Sequence, residues 1–125
     1  MLSMEELLQG KKLEDLSEEI QKNLPILLER VNKIRALWGK PLTVTSCVRS
    51  QADQERINPA APKSKHLIGA AVDIFDKDGS LKSWIKDNES VLEDAELWME
   101  DFSATPTWCH FQCLPPKSGK RFFIP

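Results

Sequence analysis

The sequence predicts an α+β fold in which N-terminal helices pack on a small, mostly antiparallel sheet. The first third of the chain has apolar residues at helical spacing, whereas the remainder has short β-branched or alternating segments separated by turn residues. One further helical pattern interrupts those segments. Helices followed by strands with an inserted helix are the order typical of an α+β domain.

The helical region covers residues 13–37, where apolar residues recur every three or four positions. Ser17, followed by two glutamates, is typical of a helix start. Pro25 lies inside the region, and a proline removes one main-chain hydrogen bond and crowds the preceding turn. We therefore expect two helices that meet near Asn23 or Leu24.

The rest of the chain predicts a sheet with one inserted helix. Strands are expected at residues 42–46, 69–75, 96–101 and 107–113, with a short edge strand at 121–124. The third and fourth segments flank a turn and should pair as a hairpin. Residues 80–92 have a helical pattern with Leu81, Trp84 and Ile85 facing inward. The polar residues 50–65 predict a short helical turn followed by a loop.

Length and charge restrict the class of protein. The 125 residues suit one domain, residues 1–125. A net charge of −2 gives no electrostatic basis for binding nucleic acid, and no apolar run is long enough for membrane insertion. The first six residues lack the basic start and apolar core of a secretory signal. We therefore expect a protein that is made in a cytoplasm. A protein delivered by another route, such as cell lysis or virion assembly, would have the same sequence features.

The three cysteines are Cys47, Cys109 and Cys113. An odd number without a secretory signal argues against a disulfide framework. We expect all three to be small buried apolar residues, with metal ligation as the lesser alternative.

The chain has two histidines, and each lies in a segment that suits a metal ligand. His66 is followed seven positions later by Asp73, so a loop folded back on a strand can bring both to one ion. His110 alternates with Trp108 and Gln112 on one strand face. Two imidazoles and one carboxylate leave a fourth position for water, which is typical of a catalytic zinc site. The plain alternatives are a hydrogen-bonded core histidine and a capping carboxylate.

Three stretches resemble the zinc-dependent murein peptidases. This family includes D-alanyl-D-alanine carboxypeptidases, D-Ala-D-Ala dipeptidases and the L-alanyl-D-glutamate endopeptidases of phage lysins. The stretches are residues 44–50 (VTSCVRS), which resemble S-G-Y-R-S, residues 64–73, which match S-x-H-x-x-G-x-A-x-D, and residues 108–110, which match W-x-H. They occur in the family's order, and the resemblance covers roughly residues 25–115. It implies the Hedgehog/DD-peptidase fold.

The resemblance also implies roles for the matched residues. The implied ligands of one zinc ion are His66, Asp73 and His110. Arg49 would bind a carboxylate or carbonyl of the peptide substrate, for which a planar charged fork is well suited. Ser64 would orient the substrate or the loop that carries His66, and Trp108 would lie along the bound substrate. Surface ion pairing for Arg49, a loop cap for Ser64 and core packing for Trp108 are the structural alternatives.

A hydrolase of this kind also needs a general base. Many family members have an acidic residue three positions before the last histidine, where this chain has Thr107. In the expected hairpin, Glu100 lies opposite about Trp108 and therefore on the same face as His110. A register slip of one residue would put Asp101 there instead. The candidate general bases are Glu100 and Asp101, and the alternative is that both are solvated turn carboxylates.

The function that these features predict is a phage-type zinc metallopeptidase, such as an endolysin, that hydrolyses the peptide stems of bacterial peptidoglycan. Both a D-Ala-D-Ala carboxypeptidase and an L-Ala-D-Glu endopeptidase remain open. The alternative is an inactive, zinc-stabilised virion or wall-binding module on the same fold, which Thr107 favours. A metal-free domain would require both histidine contexts to be coincidental.

Overall fold

A computed structural model describes residues 1–50, 56 and 64–125. Its helices are α1 (Met4–Leu8), α2 (Glu18–Trp38), α3 (Ser80–Asp87) and α4 (Ser90–Ala95). Its strands are β1 (Val44–Ser46), β2 (Ala71–Phe75), β3 (Trp98–Glu100), β4 (Trp108–Gln112) and β5 (Phe122–Phe123). Short 3₁₀ turns occur at Leu13–Asp15, Lys65–Ile68 and Phe102–Ala104. The predicted helical turn and loop at residues 50–65 fall mostly outside the described residues.

The strands form one sheet in the order β1-β2-β4-β3-β5. The pairings of β1 with β2, β2 with β4 and β3 with β4 are antiparallel, and β5 joins β3 in parallel. The predicted α+β class, the hairpin and the edge strand near the C-terminus are therefore confirmed.

Helix α2 differs from the prediction, because the expected break near Asn23 or Leu24 does not occur. The helix runs through Pro25. A proline inside a helix costs about 3 kcal/mol, but this ring is exposed and one buried apolar stripe continues on both sides of it. Packing of that stripe outweighs the local cost. Its residues are Ile20, Leu24, Leu27, Val31 and Ile34.

The helix predicted at residues 80–92 is also wrong in its extent, since it is divided into α3 and α4. The division occurs at Asn88, whose side-chain amide donates to the Trp84 carbonyl at 2.9 Å and whose main-chain N–H donates to the Ile85 carbonyl at 3.0 Å. These bonds satisfy the last carbonyls of α3 and end it. Leu81 and Ile85 are buried and Trp84 is half-buried, as predicted.

The hydrophobic core includes one face of the sheet, the buried stripe of α2 and parts of α1, α3 and α4. All three cysteines are free and buried, as expected. Burial raises the pKa of the Cys47 thiol to about 12, so it is uncharged at neutral pH. In the described parts of the chain, no helix combines the length and apolar character needed to cross a membrane.

Candidate metal centre

Three side chains converge on the sheet face opposite the core. Asp73 and His110 lie directly across from each other in the register of β2 and β4. His66 lies in the 3₁₀ turn that leads into β2. Asp73 Oδ1 is 3.2 Å from His66 Nε2 and 3.0 Å from His110 Nδ1. All three residues are buried, with exposed fractions of 2%, 6% and 5% for His66, Asp73 and His110. The fold thus brings together the three residues that the sequence suggested as ligands.

Hydrogen bonds on the outer side of each imidazole fix which ring nitrogen carries the hydrogen. His66 Nδ1 lies 2.6 Å from the main-chain oxygen of Cys47, which can only accept, so Nδ1 is the donor. His110 Nε2 lies 2.8 Å from Gln112 Oε1. The Gln112 amide is itself oriented, because its nitrogen donates to the Leu114 carbonyl at 2.8 Å. In the neutral rings, His66 Nε2 and His110 Nδ1 therefore both carry lone pairs.

Two nitrogen lone pairs and a carboxylate oxygen then face one another in a buried space. Without a cation or an added proton, this arrangement is repulsive. The three ligand atoms lie within 4.8 Å of one another. A tetrahedral ion with bonds of about 2.0–2.2 Å needs ligand atoms about 3.4 Å apart, close to the observed separations. The donor set and its outer hydrogen bonds thus fit a zinc-type ion.

The pKa values of Asp73 and His110 reflect the same convergence. Burial alone would raise the pKa of Asp73, but hydrogen bonds with His110 and His66, which form when a proton is shared between these atoms, outweigh it and hold that pKa well below its usual value. Burial alone would lower the pKa of His110, but the Asp73 carboxylate outweighs it and raises that pKa. Protons therefore compete with a metal ion for the same nitrogens.

Glu100 lies at the rim of this cluster. Strand β3 pairs Trp98 with Gln112, and the same register continued by two residues sets Glu100 across from His110. The predicted opposite residue was Trp108, so the register is offset by two positions, which preserves the face. Glu100 Oε1 is 3.8 Å from His110 Nδ1. Burial raises the pKa of the Glu100 carboxyl group.

Asp101, the other candidate base, is not brought to the cluster. Its carboxylate accepts hydrogen bonds from the Ser103 main-chain N–H at 3.0 Å and from the Ser103 hydroxyl at 2.7 Å. It therefore caps the 3₁₀ turn after β3, and those bonds lower its pKa. The one-residue slip that would have placed Asp101 beside His110 does not occur.

The predicted substrate residues fall in different positions. Arg49 points at the cluster, with Nη2 3.0 Å from Asp73 Oδ2. The Ser64 hydroxyl accepts from the His66 main-chain N–H at 3.2 Å and so caps the 3₁₀ turn that contains His66, which is the structural alternative stated for this residue. Trp108 is half-buried and pairs with Phe75 across β2 and β4. This pair lies two residues along each strand from the Asp73–His110 pair. Phe75 is 52% exposed, so this aromatic pair borders the cluster on its solvent side.

The sequence analysis did not identify the hydrogen-bond acceptors of the two imidazoles, which are the Gln112 side chain and the Cys47 carbonyl. Gln112 could have been found, because it alternates with His110 on one strand. The Cys47 carbonyl had none, since every residue has one. Cys47 stands where the S-G-Y-R-S segment has glycine, and its backbone is not left-handed: among described residues other than glycine, only Gln9 and Glu96 have positive φ.

The fold and the buried His-Asp-His cluster, which could hold a metal ion, can be set beside known proteins. The solved structure of the Serratia marcescens L-Ala D-Glu endopeptidase ChiX matches with a TM-score of 0.56 and 18% sequence identity, over 84% of this chain and 93% of that chain. This likeness supports the fold, which is Hedgehog/DD-peptidase-like as the sequence resemblance implied.

The sequence profile of the Peptidase M15 family matches residues 2–95, and the chain belongs to that family. The matched range contains His66 and Asp73 and ends before His110. Peptidases of this family are zinc-dependent. No curated protein sequence matches the chain.

Proposed function

We propose that the protein is a zinc-dependent peptidase that hydrolyses the peptide stems of bacterial peptidoglycan. The observation that carries the proposal is the buried cluster of His66, Asp73 and His110, whose free lone pairs converge while the outer N–H groups are already bound. Membership of the M15 family supports peptidase chemistry, and a fold neighbour that is itself an L-Ala D-Glu endopeptidase supports the substrate class.

Each residue of the cluster has a distinct part in this proposal. His66, Asp73 and His110 would hold one zinc ion, which when bound activates a water molecule and polarises the scissile carbonyl. Glu100 would accept the proton from the attacking water and deliver it to the leaving amine nitrogen. Its raised pKa suits this exchange, because a carboxylate with a higher pKa binds the proton more readily.

Substrate would approach the cluster past two aromatic side chains. The half-buried Trp108 and the exposed Phe75 form an apolar wall about 7 Å along the strands from the Asp73–His110 pair. Exposed aromatic side chains beside a polar centre are typical of ligand-binding walls. The D-Ala-D-Ala bond and the L-Ala-D-Glu bond are both candidates for the bond that is cleaved.

The hydrophobic core runs from Leu2 to Cys113, which supports treating residues 1–125 as one peptidase domain. We further propose that the protein acts on cell wall after release by lysis or as part of a virion. This placement rests on the resemblance to phage lysins.

Digestion of purified muropeptides by the zinc-loaded protein, followed by mass spectrometry, tests the proposal. We expect a new fragment that disappears when a chelator is present and returns when zinc is restored. The fragment mass identifies the cleaved bond, and so distinguishes a carboxypeptidase from an endopeptidase.

A second candidate is a zinc-stabilised binding module without activity, and one observation favours it. Thr107 occupies the position where related peptidases often have an acidic residue, and a threonine cannot act as a general base. The same assay separates the two candidates. A protein that binds one zinc ion and sediments with intact peptidoglycan, yet releases no fragment, would support the module and exclude the peptidase.

A further inference from the structure

The segment from Ser46 to Arg49 contacts the parts of the chain that carry His66 and Asp73. The Cys47 carbonyl accepts from His66 Nδ1 at 2.6 Å, and the Arg49 main-chain N–H donates to the His66 carbonyl at 3.3 Å. The same short segment therefore holds both the ring and the backbone of His66. It also reaches Asp73 through the Arg49 side chain.

Among the described residues, two acceptors contact the Arg49 guanidinium. Its Nε donates to Ser46 Oγ at 2.9 Å, and its Nη2 donates to Asp73 Oδ2 at 3.0 Å. These two nitrogens form one edge of the planar fork, so the acceptors fix the plane of the group as well as its position. The Arg49 side chain is 11% exposed and that of Asp73 is 9% exposed, so solvent screens this ion pair little.

A β-bulge brings Ser46 and Asp73, the two acceptors, next to each other beside the Arg49 guanidinium. The register between β1 and β2 shifts between Val44 and Ser46, so that Ser46 lies across from Asp73. The intervening residue, Thr45, donates its hydroxyl to the Asp73 main-chain oxygen at 3.2 Å. Bulges occur preferentially beside functional sites, where they redirect side chains. Here the bulge secures both the backbone and the carboxylate of Asp73.

The two oxygens of Asp73 consequently have separate partners. Oδ2 accepts from Arg49, whereas Oδ1 faces the two imidazole nitrogens. A carboxylate held in this way presents one oxygen to a metal ion in a fixed direction. Without the arginine, the carboxylate could rotate and offer either oxygen, or both.

We propose that Arg49 is a positioning residue of the metal centre, which acts by holding Asp73 in its one-oxygen orientation. This inference rests on the proposed zinc site. It differs from the substrate-binding role that the sequence resemblance implies for Arg49, and the two roles predict different measurements. A positioning role changes the affinity for zinc in the absence of any peptide. A role in substrate binding changes KM and leaves the zinc affinity unchanged.

The test is the zinc dissociation constant, measured by competition with a chromophoric chelator in the absence of peptide. We expect Arg49→Met to weaken zinc binding by about 10–100-fold, the usual effect of removing a partner of a ligating side chain. Arg49→Lys should lose less, because lysine keeps the charge but not the fork. Arg35→Met, in the last turn of α2, is the matched control and should stay within about twofold of wild type.

A double-mutant cycle tests whether the effect passes through Asp73. In the Asp73→Asn background, Arg49→Met should weaken zinc binding by no more than about twofold, because the carboxylate that the arginine holds is absent. Circular dichroism of the metal-free proteins establishes that each variant is folded. If Arg49→Met does not fold, Arg49→Lys and Ser46→Ala provide the same test. The first variant removes the guanidinium fork, and the second removes its Ser46 acceptor.

Folded variants whose zinc affinity equals that of wild type would overturn the positioning role, whatever happens to KM. An equal loss in the Asp73→Asn background would also overturn it, since the arginine would then act elsewhere. Failure of the proposed function gives a different result. A wild-type protein that binds zinc but cleaves nothing would exclude the peptidase and leave this test intact, whereas one that binds no zinc would refute both.

Discussion

The two faces of the central strands are both buried, but they are stabilised in different ways. On β4, Phe111 faces the hydrophobic core and is fully buried, while the next residue on either side faces the candidate metal centre. Those neighbours, His110 and Gln112, are 5% and 3% exposed. The core face needs only close packing. The site face is polar, so each of its groups needs a specific partner.

This difference shows why burial alone does not identify a site. Apart from the Cys109 thiol, which donates to Asp76 Oδ2 at 3.5 Å, the core side chains of β2 and β4 pack against apolar groups and have no directional requirement. On the site face, the Cys47 carbonyl and the Gln112 amide oxygen accept from the outer N–H groups of the two imidazoles, and Arg49 donates to Asp73. These bonds satisfy the outer atoms of the cluster and leave its inner lone pairs facing one another. A buried polar face satisfied on the outside only is what a metal centre requires. The following changes test this comparison, from the largest expected effect to the smallest.

Replacing the proposed base should separate chemistry from metal binding. We expect Glu100→Gln to lower kcat on muropeptides by about 10²–10⁴-fold, the usual contribution of a general base, while one zinc ion remains bound. Asp101→Asn is the control, because that carboxylate only caps a turn. Steady-state kinetics and metal analysis give the two readouts. Full activity in Glu100→Gln would exclude Glu100 as the base.

On the core face, we expect Phe111→Ala to lower the free energy of unfolding by about 3–5 kcal/mol, through lost burial and a cavity. Urea unfolding of the metal-free protein measures this loss. The folded fraction should still bind zinc with nearly wild-type affinity, because Phe111 does not contact the ligand atoms. A loss below about 1 kcal/mol would mean that the core closes over the cavity.

One residue further along β4, at Gln112, a substitution should weaken zinc binding more than it lowers the stability of the fold. Gln112→Leu removes the acceptor that fixes the tautomer of His110, so we expect zinc affinity to fall by about 10-fold or more. The variant Gln112→Glu keeps an acceptor for this N–H but cannot donate to the Leu114 carbonyl, so it should lose less affinity than the leucine variant. Chelator competition provides the measurement. Equal zinc binding by the leucine variant would show that the ring is oriented by Asp73 alone.

The smallest expected effect concerns the charge of Glu100. Burial raises its pKa in the metal-free protein, so the group should ionise above the usual range for a glutamate when followed by NMR. Zinc should lower this pKa, because a nearby cation stabilises the carboxylate. Activity that depends on the ionised base is then lost as pH falls through the zinc-bound pKa. A Glu100 pKa that does not respond to zinc would place the ion away from the carboxylate.

Part of the fold could be predicted from local patterns, and the errors have physical causes. The strands were predicted from β-branched and alternating residues, because side chains alternate between the faces of a strand. The break at Pro25 was wrong, since packing of a stripe that extends beyond the proline outweighs its local cost. The register of β3 against β4 was offset by two residues, because the turn between them contains a 3₁₀ segment that sequence patterns do not reveal.

The α+β class, the family and the candidate ligands could be inferred from the amino-acid sequence, because they depend on residue types and their spacing along the chain. That Glu100 rather than Asp101 lies beside His110, and that Arg49 pairs with Asp73, is known from the folded chain. Those facts depend on strand register and on a β-bulge. Both result from packing among residues far apart in the chain, which no local pattern contains.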